Sequence, residues 1–430
     1  MTLDPVHFDG IARLAGRIDY GASADEHRDF AETVWTEFLS PLRDDDGRIV
    51  VDPIDEVAKF AVDVEDVALT VTPFPSEHGL DAGTINPTRF RNGLVMDVAQ
   101  AAMATTPSDL DCHRSRTVVA TVHSNDETAT VDDRWGTFDE GYSRNRVVHV
   151  PRLPRFAEGV VHALALYMAE SEHAHAHADD VDDLLILDGP LYPRGLLRWN
   201  DQHPDLADLL VTERQPTAVI ERYLRLVETF VERDVPLVGF VKNPSTRVIS
   251  RTIAAKPETS APWTDDAAFF TRILERGESV RDVDGRRFER DTDALTYTSW
   301  FRSRGGVDGP LSPDGDAFGI ERKLDHDAYE VTFFVVYDPR TDLCYRIEAP
   351  YAFTRDADVR DRLTRQLLAD VAIAGGPPAV VGKADELARI SIAEKAAVRR
   401  AFEERFETVL DGTYDDHRWD EDAGHRTLAD

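Results

Sequence analysis

The order of the apolar segments limits this chain more than any other feature. Residues 93–98 (GLVMDV), 116–123 (RTVVATVH) and 145–150 (NRVVHV) read as three successive strands, short, apolar and largely β-branched, with polar loops between them. After Pro151 and Pro154 the spacing predicts an amphipathic helix to about Glu172, with Phe156, Val160, Val161, Leu164, Tyr167 and Met168 on one face. Residues 184–187 (LLIL) form a buried strand that ends at Asp188, residues 217–233 a second helix, and residues 237–241 (LVGFV) a fifth strand leading into Lys242. The succession β-β-β-α-β-α-β is that of the ribonuclease H-like α/β fold, a mixed five-stranded sheet with helices on both faces.

Nothing divides the chain into separate modules, since no linker rich in Gly, Ser or Pro and no internal repeat is visible. Residues 1–85 read as an N-terminal helical extension, with a helix over 25–42 and a strand over 67–72 (VALTVT). One elaborated domain spans 86–410. Its ribonuclease H-like core covers about 91–245, and its C-terminal part, 260–410, consists of a helix, a hairpin and two further helices. Residues 411–430 read as a polar tail.

Composition bears on partners. The 430 residues include 81 Asp plus Glu against 49 Lys plus Arg, a formal net charge of -32, while 42% of the chain is still apolar. Lysine occurs only at Lys59, Lys242, Lys256, Lys323, Lys383 and Lys395. Acid spread along the whole length with scarce lysine is the surface of a halophilic, salt-adapted protein, not an acidic tail. Such a coat argues against a broad basic nucleic-acid face. In multimolar salt, however, the Debye length falls below about 3 Å, so local arginines and bound metal ions decide whether a phosphate is admitted. Two cysteines, Cys112 and Cys344, give no disulfide framework, and no signal segment or long apolar run is present, which places the protein in the cytoplasm with no membrane partner.

The acids that interrupt apolar strands carry the chemistry. Asp97 breaks the first strand, and an unpaired carboxylate there is expensive unless a partner, water or cation meets it. Asp188 stands in the same relation to its strand, just before Gly189. In a meander the first and third strands are parallel, and a crossover helix makes the fourth parallel to both. Asp97 and Asp188 then share one edge of the sheet. The helix after the third strand starts at that edge, so Glu158 in its first turn can join them, whereas Glu170 lies about 18 Å further along the axis. Glu170 or Glu172 is the fallback. Three or four carboxylates around Mn²⁺ or Mg²⁺ are a way to activate water for attack at phosphorus.

With these pieces the chain resembles the NurA family, nucleases that process DNA ends together with the HerA helicase. The resemblance runs from Gly93 to Phe402 through NGLVMDVA, RFAEG, LLILDGPLYP, VGFVKNPSTRVI, DDAAFFTRILERGE, YRIEAPYAF and PPAVVGKADELARI, in that order. It implies that the family's metal-binding acids fall on Asp97, Glu158 and Asp188. Where the family has a tyrosine and, eight residues on, a histidine, this chain has Pro377 and Asp385; Asp385 is then an additional metal ligand and catalytic residue. The resemblance also implies 5′ to 3′ exonuclease and single-strand endonuclease activity in DNA double-strand-break repair by homologous recombination, in an archaeal homodimer docked on a hexameric HerA-type ATPase.

Lys242 is a candidate contact to the scissile phosphate or to a carboxylate, and Arg247 and Arg251 are weaker ones. His173, His175 and His177 read as an exposed loop beyond the helix, Trp199, Trp263 and Trp300 as core, and Glu348 as structural. Two alternatives stand beside the nuclease: a catalytically degenerate module that only contacts the ATPase, and a ribonuclease H-like nuclease acting on RNA or branched DNA.

Overall fold

The fold is that of a computed structural model describing residues 5–14, 17, 24–150, 157–256, 261–282 and 285–412. Pro151, Pro154 and the polar tail from residue 413 lie outside the described residues. In chain order the principal strands are β1 (Ile49–Pro53), β2 (Lys59–Asp63), β3 (Glu77–Thr84), β4 (Val95–Thr106), β5 (Arg116–His123), β6 (Ser143–His149), β7 (Leu185–Asp188), β8 (Leu237–Val241), β9 (Ala294–Thr298), β10 (Phe301–Ser303), β11 (Val331–Asp338) and β12 (Leu343–Pro350). The principal helices are α1 (Ala24–Glu37), α2 (Ala157–Ala176), α3 (Arg214–Glu232), α4 (Asp266–Leu274), α5 (Ala357–Ala374) and α6 (Ala379–Ala388). No single described helix is long and apolar enough to cross a membrane.

The strands form one mixed sheet in the order β1-β10-β11-β12-β8-β7-β3-β4-β5-β6, with β9 joining β11 to β2. Within it the run β5-β4-β3-β7-β8 is the ribonuclease H-like core: β3, β7 and β8 are parallel, and β4 is antiparallel to both β3 and β5. The sheet is far wider than the five strands expected, with fifteen among the described residues.

The meander begins one strand earlier than the sequence suggests. Its first strand is β3, inside the supposed helical extension, so the strand carrying Asp97 becomes the second. The segment near residue 145, expected as the third, instead pairs in parallel outside β5. Strands β1, β2 and β3, all within residues 49–84, are thus part of the sheet, and the strand expected over 67–72 is absent. In its place is a short helix, Val64–Ala68, capped by Asp63, whose side chain accepts from the Asp66 N–H, with Glu65 and Asp66 in the first turn.

Helices cover both faces. On one face α5 and α6 pack over Ile186, Val238, Phe240 and Ile347. On the other, α2 and α3 lie over Leu80, Leu185, Leu187 and Leu237, while α1 and α4 lie over Phe333, Val335 and Tyr337. Helix α3 shows why its segment is helical: Val219, Ile220, Tyr223, Leu224, Val227 and Phe230 recur at spacings of three and four and are buried. Helix α2 continues through Ala176, so the histidine tract is not an exposed loop. His173 is fully buried, its Nδ1 lies 3.0 Å from Thr117 Oγ1, and burial drives its pKa well down.

Candidate metal centre

Strand β3 reads Glu-His-Gly-Leu-Asp-Ala-Gly-Thr, and its two glycines explain where helix α6 lies. A Cβ on Gly79 would stand 2.5 Å from the Val380 carbonyl oxygen, and one on Gly83 2.3 Å from that of Ala388. The helix therefore rests on bare backbone. Asp81 lies between these glycines on the same face, because strand side chains alternate. Parallel pairing sets Leu187 opposite Leu80 and Ile186 opposite Gly79. Asp188, the next residue, is thus the lateral neighbour of Asp81 at the usual strand spacing of about 4.8 Å. Strand β8 delivers Lys242 to the same place, its Nζ donating to Asp188 Oδ2 at 2.6 Å.

Electrostatics identify the members of this cluster. Burial, then the charge of Asp188, and then that of Asp385 on α6, push the Asp81 pKa up to about 7. Asp188 is raised by burial as well, with Lys242 opposing and Asp385 adding to the shift. Asp81, Asp188, Asp385 and Lys242 thus share one pocket of field, of which Asp188, Asp385 and Lys242 were expected from sequence.

Asp97 and Glu158 are not part of it. Strand β4 runs from Val95 to Thr106, so Asp97 sits near its start, five residues from Ala102, the residue that faces Asp81. Its side chain is completely buried, with Oδ2 2.7 Å from Nδ1 of His162 on α2 and Oδ1 accepting the Val98 N–H. The partner that an acid in an apolar strand must have is therefore a histidine. Glu158 is half-exposed and pairs with Arg89 at 2.6 Å.

Glu170 is the acid of α2 that feels the cluster. It is partly buried, accepts the Tyr223 hydroxyl at 2.8 Å, and lines a cavity of about 110 Å³ with Tyr167, Asp188 and Gly189. Burial, together with the charges of Asp81 and Asp188, pushes its pKa up to about 8. The first turn of α2 is level with Asp97, well past Asp81, so the helix passes the cluster two to three turns later. That offset leaves Glu158 beyond the cluster and brings Glu170 level with it.

A folded-state pKa above the unfolded one makes the neutral form the stable form. In metal-free protein the stability associated with Glu170 is complete below its ordinary value, near pH 4.5, and is lost as pH rises to about 8. The loss is up to roughly 1.4 kcal/mol per pH unit. Glu170→Gln is accordingly expected to match wild type at pH 4 and exceed it in urea denaturation at pH 8.5; equal stability at both would contradict this.

Behind Asp188 the chain turns sharply. Gly189 has φ +138, and a Cβ on Gly239 beneath the turn would meet Leu191 N at 2.5 Å. Glu348, the residue paired with Gly239 across β8 and β12, accepts the Leu191 N–H at 3.1 Å. Its other oxygen takes Arg194 Nη2 and Arg346 Nε, both at 2.6 Å, and Arg194 also donates to Asp308 at 3.1 Å. Burial pushes Glu348 up, but Arg194 and Arg346 outweigh it and hold the carboxylate below its usual range. The expected structural role of Glu348 thus has a specific content: it clips the turn that carries Asp188.

A divalent ion suits these residues chemically. The charge of Asp188 raises the Asp81 pKa and that of Asp385 raises both, a repulsion that a hard cation relieves, and the Lys242 ammonium already bonds Asp188. Among the described residues no three His, Cys, Asp or Glu side chains are close enough to enclose an ion as they stand. Binding therefore requires side-chain rotation at Asp81, Asp188 or Asp385.

The family model for the NurA domain matches residues 77–390, starting at the first residue of β3. No curated protein matches the chain. Among solved structures, the NurA nuclease from Sulfolobus solfataricus is 11% identical, over 94% of this chain and 98% of that one, with a TM-score of 0.48. A NurA bound to dAMP and manganese is 12% identical, over 78% and 89%, with a TM-score of 0.42. A NurA with manganese is 10% identical, over 80% and 92%, with a TM-score of 0.41.

Proposed function

The chain belongs to the NurA domain family, and we propose that it is a divalent-metal-dependent deoxyribonuclease. The observation that carries this reading is the lateral pairing of Asp81 with Asp188 beneath Asp385, beside Lys242. Asp81, Asp188 and Asp385 would hold Mn²⁺ or Mg²⁺. A bound ion supplies Lewis-acid activation of water and neutralises charge on the phosphate. Lys242 balances the carboxylates and orients Asp188, and its remaining N–H donors would serve the phosphate. Glu170 keeps a neutral carboxyl behind Asp188 at neutral pH, so that the site is not overloaded with negative charge.

The substrate is DNA ends or single strands, cut as a 5′ to 3′ exonuclease and single-strand endonuclease in double-strand-break repair. The working form is a cytoplasmic homodimer docked on a HerA-type hexameric ATPase, which delivers DNA to an otherwise repulsive acidic surface. That surface, at a formal -32, fits a protein working in concentrated salt.

The test is direct. Purified protein in high KCl with Mn²⁺ is expected to degrade single-stranded DNA, to stop when EDTA is added, and to resume when Mn²⁺ is restored. Absence of cleavage with either metal, alone and with the ATPase, would favour a non-cleaving module, a reading that draws support from Pro377 and Asp385 at the two departures from the family motif.

A further inference from the structure

In a chain of formal charge -32, one cavity remote in the sheet from the carboxylate cluster has a surplus of cations. It measures about 300 Å³ and lies between α1, strand β2 and the end of α4, lined by Arg28, Lys59, Arg272 and Arg276 against Glu32 and Glu275. Four positive groups face two negative ones, a surplus of two. The acids are already engaged. Glu275 has only 4% of its side chain exposed, and takes Arg28 and Arg272 on Oε2 and Arg290 on Oε1. Glu32 pairs with Lys59. Donors remain. The Arg28 Nε is buried without a hydrogen-bond partner, and the exposed Arg276 side chain has no hydrogen bond or ion pair among the described residues.

We propose that this cavity binds an oxyanion of the phosphate class. A tetrahedral phosphate carries one to two negative charges, which matches the surplus, and guanidinium forks bond its oxygens in pairs. The partly enclosed walls also shield such a pair from salt better than an open surface does. The phosphate is either a free anion or part of a nucleic-acid backbone. The inference is independent of the nuclease reading, because it needs neither the carboxylate cluster nor a metal.

The experiment uses the full chain in EDTA at constant ionic strength, with phosphate replacing chloride, followed by thermal melting and by ³¹P line broadening. A phosphorothioate-protected oligonucleotide is titrated in parallel. Saturable phosphate binding, weakened about tenfold or more in Arg272→Gln and in Arg276→Gln, is expected for a free anion. Oligonucleotide binding weakened by the same substitutions, without phosphate binding, identifies the strand backbone. Arg276→Gln removes no side-chain hydrogen bond or ion pair among the described residues, so its fold is retained even if Arg272→Gln is unstable. Binding of neither probe, or binding unchanged in Arg276→Gln, would overturn the proposal.

Discussion

Replacing Asp81 by asparagine is expected to lower Mn²⁺-dependent DNA cleavage by about 10³-fold or more, equivalent to roughly 4 kcal/mol of transition-state stabilisation. Asparagine keeps the shape of the side chain and removes the charge that a cation needs. The same substitution should stabilise the metal-free protein at high pH. Asp81 is pushed up to about 7, so its contribution to stability is present below its ordinary value near pH 3.8 and is lost as pH rises through 7. Asp81→Asn escapes that loss. An inactive protein that withstands more urea than wild type at pH 8 separates a lost ligand from a lost fold. Asp97→Asn should behave in the opposite way, with activity within a few-fold of wild type and lower stability, because it disturbs a buried bond to His162. Cleavage that survives Asp81→Asn and disappears in Asp97→Asn would return the site to β4.

Arg194→Met carries the second large effect. Its guanidinium is buried against Glu348 and Asp308, and its removal leaves Arg346 alone to neutralise two buried carboxylates. Breaking such a network by removing one member costs about 3–5 kcal/mol. Urea denaturation should therefore show the variant strongly destabilised. Where it remains folded, Mn²⁺ affinity should fall as well, because Glu348, which clips the turn after Asp188, is no longer held by Arg194. A variant as stable as wild type would mean that the network is replaceable.

The parts of the fold that could be read from sequence were those where burial and strand propensity coincide. LLIL before Asp188, LVGFV before Lys242 and RTVVATVH are apolar and mostly β-branched or leucine-rich, and each is a strand. Strand β3 was not legible because packing selected against the signal. Gly79 and Gly83 are there so that α6 can rest on the backbone, and glycines erase the pattern by which a strand is recognised. An aspartate between two glycines was the available sign. Without that sign the meander reads as beginning at β4, and Asp97 takes the place of its first acid. Asp97 does have the partner that a buried acid needs, but an acid within a strand reads the same whether a metal or His162 meets it. Glu158 follows from the start of α2 in the sequence, and only the level of Asp97 against His162 shows that the helix begins beyond the cluster. Asp188 and Lys242 end the two apolar strands legible in the sequence, and Asp385 comes near them because α6 rests on Gly79 and Gly83.

Anomalous diffraction from Mn²⁺-soaked crystals of the full chain tests the proposed centre most directly. The expected result is a manganese peak between Asp81, Asp188 and Asp385, lost in Asp81→Asn. A peak beside Asp97 or Glu158 with none at Asp81, or no peak at saturating Mn²⁺, would contradict it.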